Sequence, residues 1–401
     1  MHRTMTTISG IYWGISCFFS VKFFAIGIYM PFFPLILAER GLEAREIAIV
    51  MAASPLLRIA TAPWLGSLSD RFRHRRNAAL LYSVIAAVLI VPLLWAEGFV
   101  PILIVTSVSA IFWLSVLPVV DALSVVAAKH NGLQYGRMRL WGSLAFIGAN
   151  FLAGWLLDFS GPELLLLAIV AAFGLTALAT LALPRDRILV DGEPDSQSYW
   201  SMPALHAIRS DPPVAIALFA AALGQASHAM VYAFGTIHWK SYGLSGVEIG
   251  MAWGIGVVAE VLLFAGAGKT GGKRAPEILI LAGLSAGFVR WGLAPFASDA
   301  TAILGLQILH GISFGATHLG AMRVIADRLP NDHAGGVLGL YAALGGLAMS
   351  GAFAVSGPLF QAFAGYGFWA MSVMCLVSMI CLMVIIPKAG HRADTSSSPH
   401  I

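Results

Sequence analysis

Charge is what this chain has least of. Only 11% of its 401 residues are Asp, Glu, Lys or Arg, against roughly 25% in an ordinary soluble domain. So little charge cannot keep a surface wet, which excludes water-soluble enzymes, nucleic-acid binders and disordered scaffolds. Cysteine is scarce too: Cys17, Cys375 and Cys381 all lie in apolar runs without CxxC or Cys/His spacing and read as small packing residues. No HExxH or paired carboxylate-His set accompanies the histidines, so neither a metal nor a cofactor is expected, and no catalytic constellation points to an enzyme.

What is plentiful is apolar. Hydrophobic residues make up 58% of the chain, with 11 Trp and 23 Phe, and the mean hydropathy is +0.82. Crossing a hydrocarbon core of about 30 Å takes about 20 apolar residues in a helix. Twelve such runs can be drawn, at 10–37, 45–68, 77–95, 100–127, 138–158, 163–183, 213–238, 245–267, 276–296, 300–325, 335–362 and 367–387. The expected fold class is therefore an all-α polytopic membrane protein with twelve transmembrane helices. The first run starts near residue 8 with no small-residue cleavage pattern after it, so it reads as a retained span and not a signal peptide.

Basic residues set the orientation, because Lys- and Arg-rich loops stay in the cytoplasm. With both termini cytoplasmic, eighteen of the 24 basic residues fall on that side, among them Arg71, Arg73, Arg75 and Arg76, and only Arg40, Arg45 and Lys240 fall on the other. The remaining three, Lys22, Arg58 and Arg290, lie inside spans. A net charge of +4 and a pI near 9.0 are thus a topology signal and not a nucleic-acid footprint.

One connection differs from the others. Residues 184–212 are polar and acidic in the middle, and they divide the chain into a six-span half at 1–183, a linker, and a six-span half at 213–387. The stretch from Tyr199 to Ile208 reads equally as a short interfacial helix or a plain linker. Residues 388–401 are expected to be a disordered cytoplasmic tail. Sliding the chain by 202 residues sets Gly41, Leu42, Glu46, Ile47 and Gly66 on Gly243, Leu244, Glu248, Ile249 and Gly268, which points to an internal repeat. That register places Arg58 opposite Glu260 and Asp121 opposite Arg323.

These features resemble a family. GSLSDRFRHRR (66–76), between the second and third spans, is similar to the major facilitator superfamily signature G-x-L-x-D-R-x-G-R-R, with Arg73 where that family has Gly. QYGRMRLWGSLAFIG (134–148), LPVVDAL (117–123), QASHAMVYAFGTIHW (225–239), GVVAEVLLF (256–264), VRWGL (289–293) and QILHGISFGATHLGAMRVIA (307–326) resemble the phenylpropionate permease branch, with lactose permease and nucleoside symporters more distant. The resemblance implies two pseudo-symmetric six-helix halves, alternating access in a bacterial inner membrane, and proton-coupled movement of a small-molecule cargo such as an organic, in that branch aromatic, acid. It also implies a monomer, a gating role for Asp70 and Arg71, and a cavity lined by spans one, four, seven and ten.

Charges inside the bilayer are candidates on physical grounds, since each needs a partner or water. Of the 20 acidic residues only Asp121 and Glu260 sit well within spans. Both are proton-coupling candidates, and static ion pairing is the alternative for each. Asp121 and Arg323 also form a candidate gate at the cytoplasmic end of spans four and ten. Lys22 and Arg58, near mid-span, suit either a cargo carboxylate or simple pairing with these acids; Arg290, in a normally peripheral span, reads as snorkelling or structurally paired. At 100° per residue Gln307, His310, Phe314, His318 and Ala321 share one face within about 80°, as do Gln225, His228, Tyr232 and Gly235. His228, Tyr232, Gln307, His310 and His318 are accordingly expected to contact cargo.

AGAGKT (265–270) ends like a P-loop, yet Leu263 stands where its first glycine belongs, so ATP-driven transport is not indicated. Export of hydrophobic compounds, sugar or nucleoside symport, and a non-transporting receptor remain open as alternatives to uptake of an acid.

Overall fold

The structure, a computed structural model, describes residues 8–72, 74–185, 202–269, 275–329 and 331–384. The middle of the expected linker, 186–201, and the expected tail lie outside them. No strand occurs among the described residues. Fourteen helices follow in order: α1 (Ile8–Glu39), α2 (Ala44–Asp70), α3 (Arg75–Ile90), α4 (Phe99–Asn131), α5 (Tyr135–Ala179), α6 (Met202–Ser210), α7 (Pro212–Ala226), α8 (Ala229–Ser241), α9 (Gly246–Lys269), α10 (Pro276–Leu293), α11 (Ala300–His310), α12 (Thr317–Arg328), α13 (Asn331–Phe363) and α14 (Phe368–Met383). The short α6 starts at Met202, so of the two readings of that stretch the helical one holds over the described part.

Among the described residues, ten continuous helical stretches are long and apolar enough to cross a membrane, and two are of double length, Tyr135–Ala182 with 48 residues and Gly335–Met383 with 49. A straight helix of 48 residues would run about 72 Å. Instead α5 folds back at Gly161, whose φ of 76° and ψ of −172° no helix accommodates. Both of its ends return to α1: Tyr135 meets the Phe19 ring edge-on at 6.1 Å, and the Ala182 carbonyl closes on Gly14. A 3-10 turn, Ala364–Gly367, divides the second long stretch, and Tyr341 of α13 shares a buried core with Met379 and Leu382 of α14. The ten stretches therefore hold twelve membrane-length segments, the number drawn from hydropathy.

The internal repeat is visible in the backbone. Gly41 and Gly243 both take positive φ, 81° and 84°, two residues past the ends of α1 and α8. Leu42 N–H returns to the Leu37 carbonyl and Leu244 N–H to that of Trp239, 202 residues on. Three residues into the next helix Glu46 accepts from Glu43 N–H at 2.9 Å, and Glu248 accepts from Ser245 N–H at 2.8 Å. The same glycine stop and the same capping carboxylate thus fold both copies of this turn. A 3-10 turn also closes α3 at Val91–Leu94 and α10 at Ala294–Phe296, again in register.

By internal packing the chain forms two units, one of residues up to 196 with Tyr232–Gly254, the other of 197–231 with the residues from Ile255 on. The core of the first holds Ile15, Phe18, Leu65, Tyr82, Val120 and Met138. There the start of α9 lies against α5 through glycine: a side chain on Gly154 would enter the Gly246 backbone, and one on Gly250 the backbone of Asn150. Asp158 completes this contact by accepting from the Gly246 and Val247 N–H groups at 2.6 and 3.0 Å, capping α9. The core of the second unit holds Leu218, Ile280, Leu284, Val324, Tyr341 and Leu382.

Two helices are less regular than the hydropathy runs suggest. The run 213–238 breaks at Ser227 and His228 into α7 and α8, and the run 300–325 passes through a π-helical segment, Gly311–Ala316, between α11 and α12. In lipid such breaks persist where other groups satisfy the freed backbone.

Candidate functional site

Both irregular segments belong to one polar cluster in the second unit. Gln225, at the end of α7, donates to the Phe314 carbonyl inside the π segment at 3.0 Å. His228, fully buried in the break after α7, has Nδ1 3.2 Å from the Gln225 carbonyl and Nε2 3.3 Å from Ser313 Oγ. Arg290, on α10 and only 2% exposed, reaches three groups of the π-containing span. Its guanidinium donates to Gln307 Oε1 at 2.5 Å and to Ser313 Oγ at 3.4 Å, lies 3.1 Å from His310 Nδ1, and covers the Trp291 ring at 4.3 Å. His310 Nε2 in turn lies 4.0 Å from the Glu260 carboxylate on α9.

Hydrogen-bond roles follow from chemistry. A guanidinium only donates, so His310 Nδ1 accepts and its proton sits on Nε2, facing Glu260. The Gln225 carbonyl only accepts, so His228 Nδ1 carries a hydrogen. Arg290 thus fixes the tautomer of one histidine and, through Ser313, abuts the other. A π turn places one extra residue per turn, which swings Ser313 onto this face. It also turns Ala321, which a regular 100° step would put on the polar stripe, into the apolar core.

The first unit holds a second intramembrane cation. Lys22, 1% exposed on α1, donates to the Trp113 carbonyl at 3.0 Å and sits 2.9 Å from the centre of the Trp113 ring. Trp113 stacks on Phe173 with ring centres 3.7 Å apart.

The MFS_1 like family matches residues 12–385 of this sequence. The chain belongs to that family. It is a transporter of the major facilitator type, an integral membrane protein and not an enzyme. A probable 3-phenylpropionic acid transporter of Escherichia coli (strain K12) is 30% identical over 376 residues, 91% of this chain and 96% of that one. The maltose permease of Geobacillus stearothermophilus is 25% identical over 381 residues, 94% of each chain. Among solved structures, the nucleoside transporter NupG superposes with a TM-score of 0.79 at 14% identity, over 94% of this chain and 98% of that one, which shows the fold alone.

In this transporter the remaining candidates are dispersed. Asp121 accepts from Tyr135 Oη at 2.7 Å and from Arg139 at 2.8 Å, and the Arg139 guanidinium lies over the Phe19 and Phe23 rings. Asp121 therefore has its ion-pair partner within its own unit, the alternative that was open for it, while Arg323 lies half-buried on α12 in the other unit. His318 stacks on Phe314 at 6.3 Å. Tyr232 leaves the stripe shared with His228 and packs on Trp253 in the first unit, ring centres 6.1 Å apart. Arg58 is exposed on α2, and Asp70 and Arg71 are exposed at its end, with Asp70 3.9 Å from Arg75.

Of the two readings for Arg290, snorkelling and structural pairing, the structure shows the second, and its mid-span charge was the signal. Sequence reasoning missed other residues. Arg139 lies inside α5 within reach of Asp121, eighteen residues earlier. Ser313 and Trp113 carried no signal, because nothing in one sequence marks a π turn or a single Trp among 11.

Proposed function

We propose that this transporter takes up a small organic acid together with a proton, by alternating access in the bacterial inner membrane. It works as a single chain with both termini in the cytoplasm. What carries the reading is the chain of groups Glu260, His310 and Arg290 inside the second unit. A carboxylate that is neutral when dry and charged beside a cation or water can ferry a proton, and Glu260 faces a histidine N–H that Arg290 has oriented. Asp121, fixed by Arg139 and Tyr135, is the second proton-coupling candidate.

Cargo contact is assigned to Lys22, Arg58, His228, Tyr232, Gln307, His310 and His318, and gating to Asp70, Arg71, Asp121 and Arg323. Support for an acid comes from Lys22 and from the similarity to a 3-phenylpropionic acid transporter. Similarity to a maltose permease keeps neutral sugar symport as a second reading.

Uptake of labelled 3-phenylpropionate and of maltose into membrane vesicles, with and without an uncoupler, tests both. Acid accumulation that the uncoupler abolishes is expected. Glu260→Gln should lose that accumulation and retain exchange of internal for external acid; full accumulation by this variant would remove Glu260 from the coupling role.

A further inference from the structure

Lys22 places an ionisable amine where the repeat-related site of the other half uses a neutral amide. Its ammonium is buried in the middle of α1 and donates to a backbone carbonyl of α4, that of Trp113. In the second unit the same task falls to a neutral amide, since Gln225 of α7 donates to the Phe314 carbonyl at the same distance of 3.0 Å. The two donors and the two acceptors occupy positions within one residue of the 202-residue repeat. A hydrogen-bond donor at this depth is thus what the architecture requires, and glutamine supplies it at far lower desolvation cost than an ammonium.

Among the described residues no carboxylate lies within ion-pair distance of Lys22. Asp121, on the same helix as Trp113, is about 12 Å further along it and is held by Arg139 and Tyr135. Instead the ammonium rests on the face of an aromatic ring, which substitutes for part of the lost hydration. The rings then continue as a ladder: Trp113 on Phe173, Phe173 edge-on to Tyr29 at 6.1 Å, and Tyr29 stacked on Phe33 at 4.6 Å. Along α1 the face that begins at Lys22 runs on through Ile26, Tyr29 and Met30, all half-buried.

We propose that Lys22 selects the charge of the cargo, with the ring and carbonyl of Trp113 as the place where its ammonium waits when no cargo is bound. This rests on the small-acid reading and sharpens it: the matching ligand is a monocarboxylate with a flat apolar tail. One cation meets one carboxylate, whereas a dicarboxylate would bring a second charge with nothing opposite it. Lys22 has a flexible stem and three donors, so it can turn from Trp113 to the carboxylate without a change in the helices.

The experiment compares 3-phenylpropionate with its neutral amide, 3-phenylpropionamide, on the purified full-length protein. Binding is read from the ligand-induced rise in the thermal unfolding midpoint, and transport from counterflow in proteoliposomes. The wild type should bind the acid at least about tenfold more tightly than the amide, the equivalent of one charge-assisted hydrogen bond. Lys22→Gln copies the arrangement of Gln225, so it should unfold near the wild-type temperature and lose the preference. Lys22→Arg should keep it. Retention of the preference by Lys22→Gln overturns the proposal, and so does a wild type that favours no arylalkanoate over its amide. Should Lys22→Gln fail to fold, Lys22→Arg decides, a charge-retaining variant without the preference counting against the role. Glu260→Gln separates the two readings: it should keep the acid-over-amide preference in binding while losing accumulation, so an error about proton coupling leaves the Lys22 result intact.

Discussion

Arg290 shows how one buried cation organises several neutral groups. Its planar fork meets Gln307, Ser313 and His310 at once while the flat face covers Trp291, and lysine offers no such fork. Arg290→Lys should therefore fold and keep its charge, yet lower proton-driven uptake by about tenfold or more, the scale of one buried hydrogen bond left unmade. Because His310 would no longer have its tautomer dictated, the pH profile of uptake should change shape as well. A profile and rate equal to wild type would reduce Arg290 to a packing residue. At this scale the sequence was informative in a particular way. Every intramembrane charge could be read off, since a charge in an apolar run is costly wherever it points, but its partner could not. The pairs Asp121–Arg139 and Arg290–Gln307 form across helices, and which face each helix turns inward is decided by packing that hydropathy does not encode.

At the scale of elements, the ends of helices were more legible than their interiors. Glycine and glutamate recurring 202 residues apart marked a turn before any coordinates, because a positive-φ stop and a capping carboxylate each require a definite residue type. The break at Ser227 and His228 and the π turn at Gly311–Ala316 left no such trace: backbone carbonyls are met by Ser227 at the first and by Gln225 and Ser313 at the second, residues that occur in regular helices too. The contact of α5 with α9 allows a clean comparison. A methyl group on Gly250 would meet the Asn150 carbonyl carbon at 2.9 Å, whereas one on Gly254, a turn later, meets only a methyl of Ile147 at 3.6 Å. Gly250→Ala should destabilise the protein by about 1–3 kcal/mol through overpacking against backbone that cannot yield. Gly254→Ala should be neutral or slightly stabilising, since alanine is the better helix former. Unfolding midpoints of the two variants in detergent test this, and equal midpoints would contradict the close approach.

For the whole molecule, the number of segments and the distribution of basic residues constrain orientation independently. An even number of segments, twelve once α5 and the α13–α14 stretch are each divided, predicts both termini on one side of the membrane. On that expectation the turn carrying Arg71 and Arg75, the turn before Arg137 and the segment carrying Arg185 should share that side, and Arg40, Glu97 and Asp299 the other. Basic residues resist translocation, so the richer side should be the cytoplasm. Replacing Cys17, Cys375 and Cys381 and adding single cysteines provides a direct measure, because only one side of an intact cell is open to a membrane-impermeant maleimide. Cysteine at Glu97 or Ser298 should label in intact cells, and cysteine at Asn131 or Phe72 only after lysis. The inverse pattern would put both termini outside and reverse the sense of proton-coupled uptake. A mixed pattern, with Ser298 labelling unlike Glu97, would mean that α5 does not turn back, which the return of both α5 ends to α1 argues against. Orientation and the α5 fold-back thus stand or fall on separate positions in one labelling series.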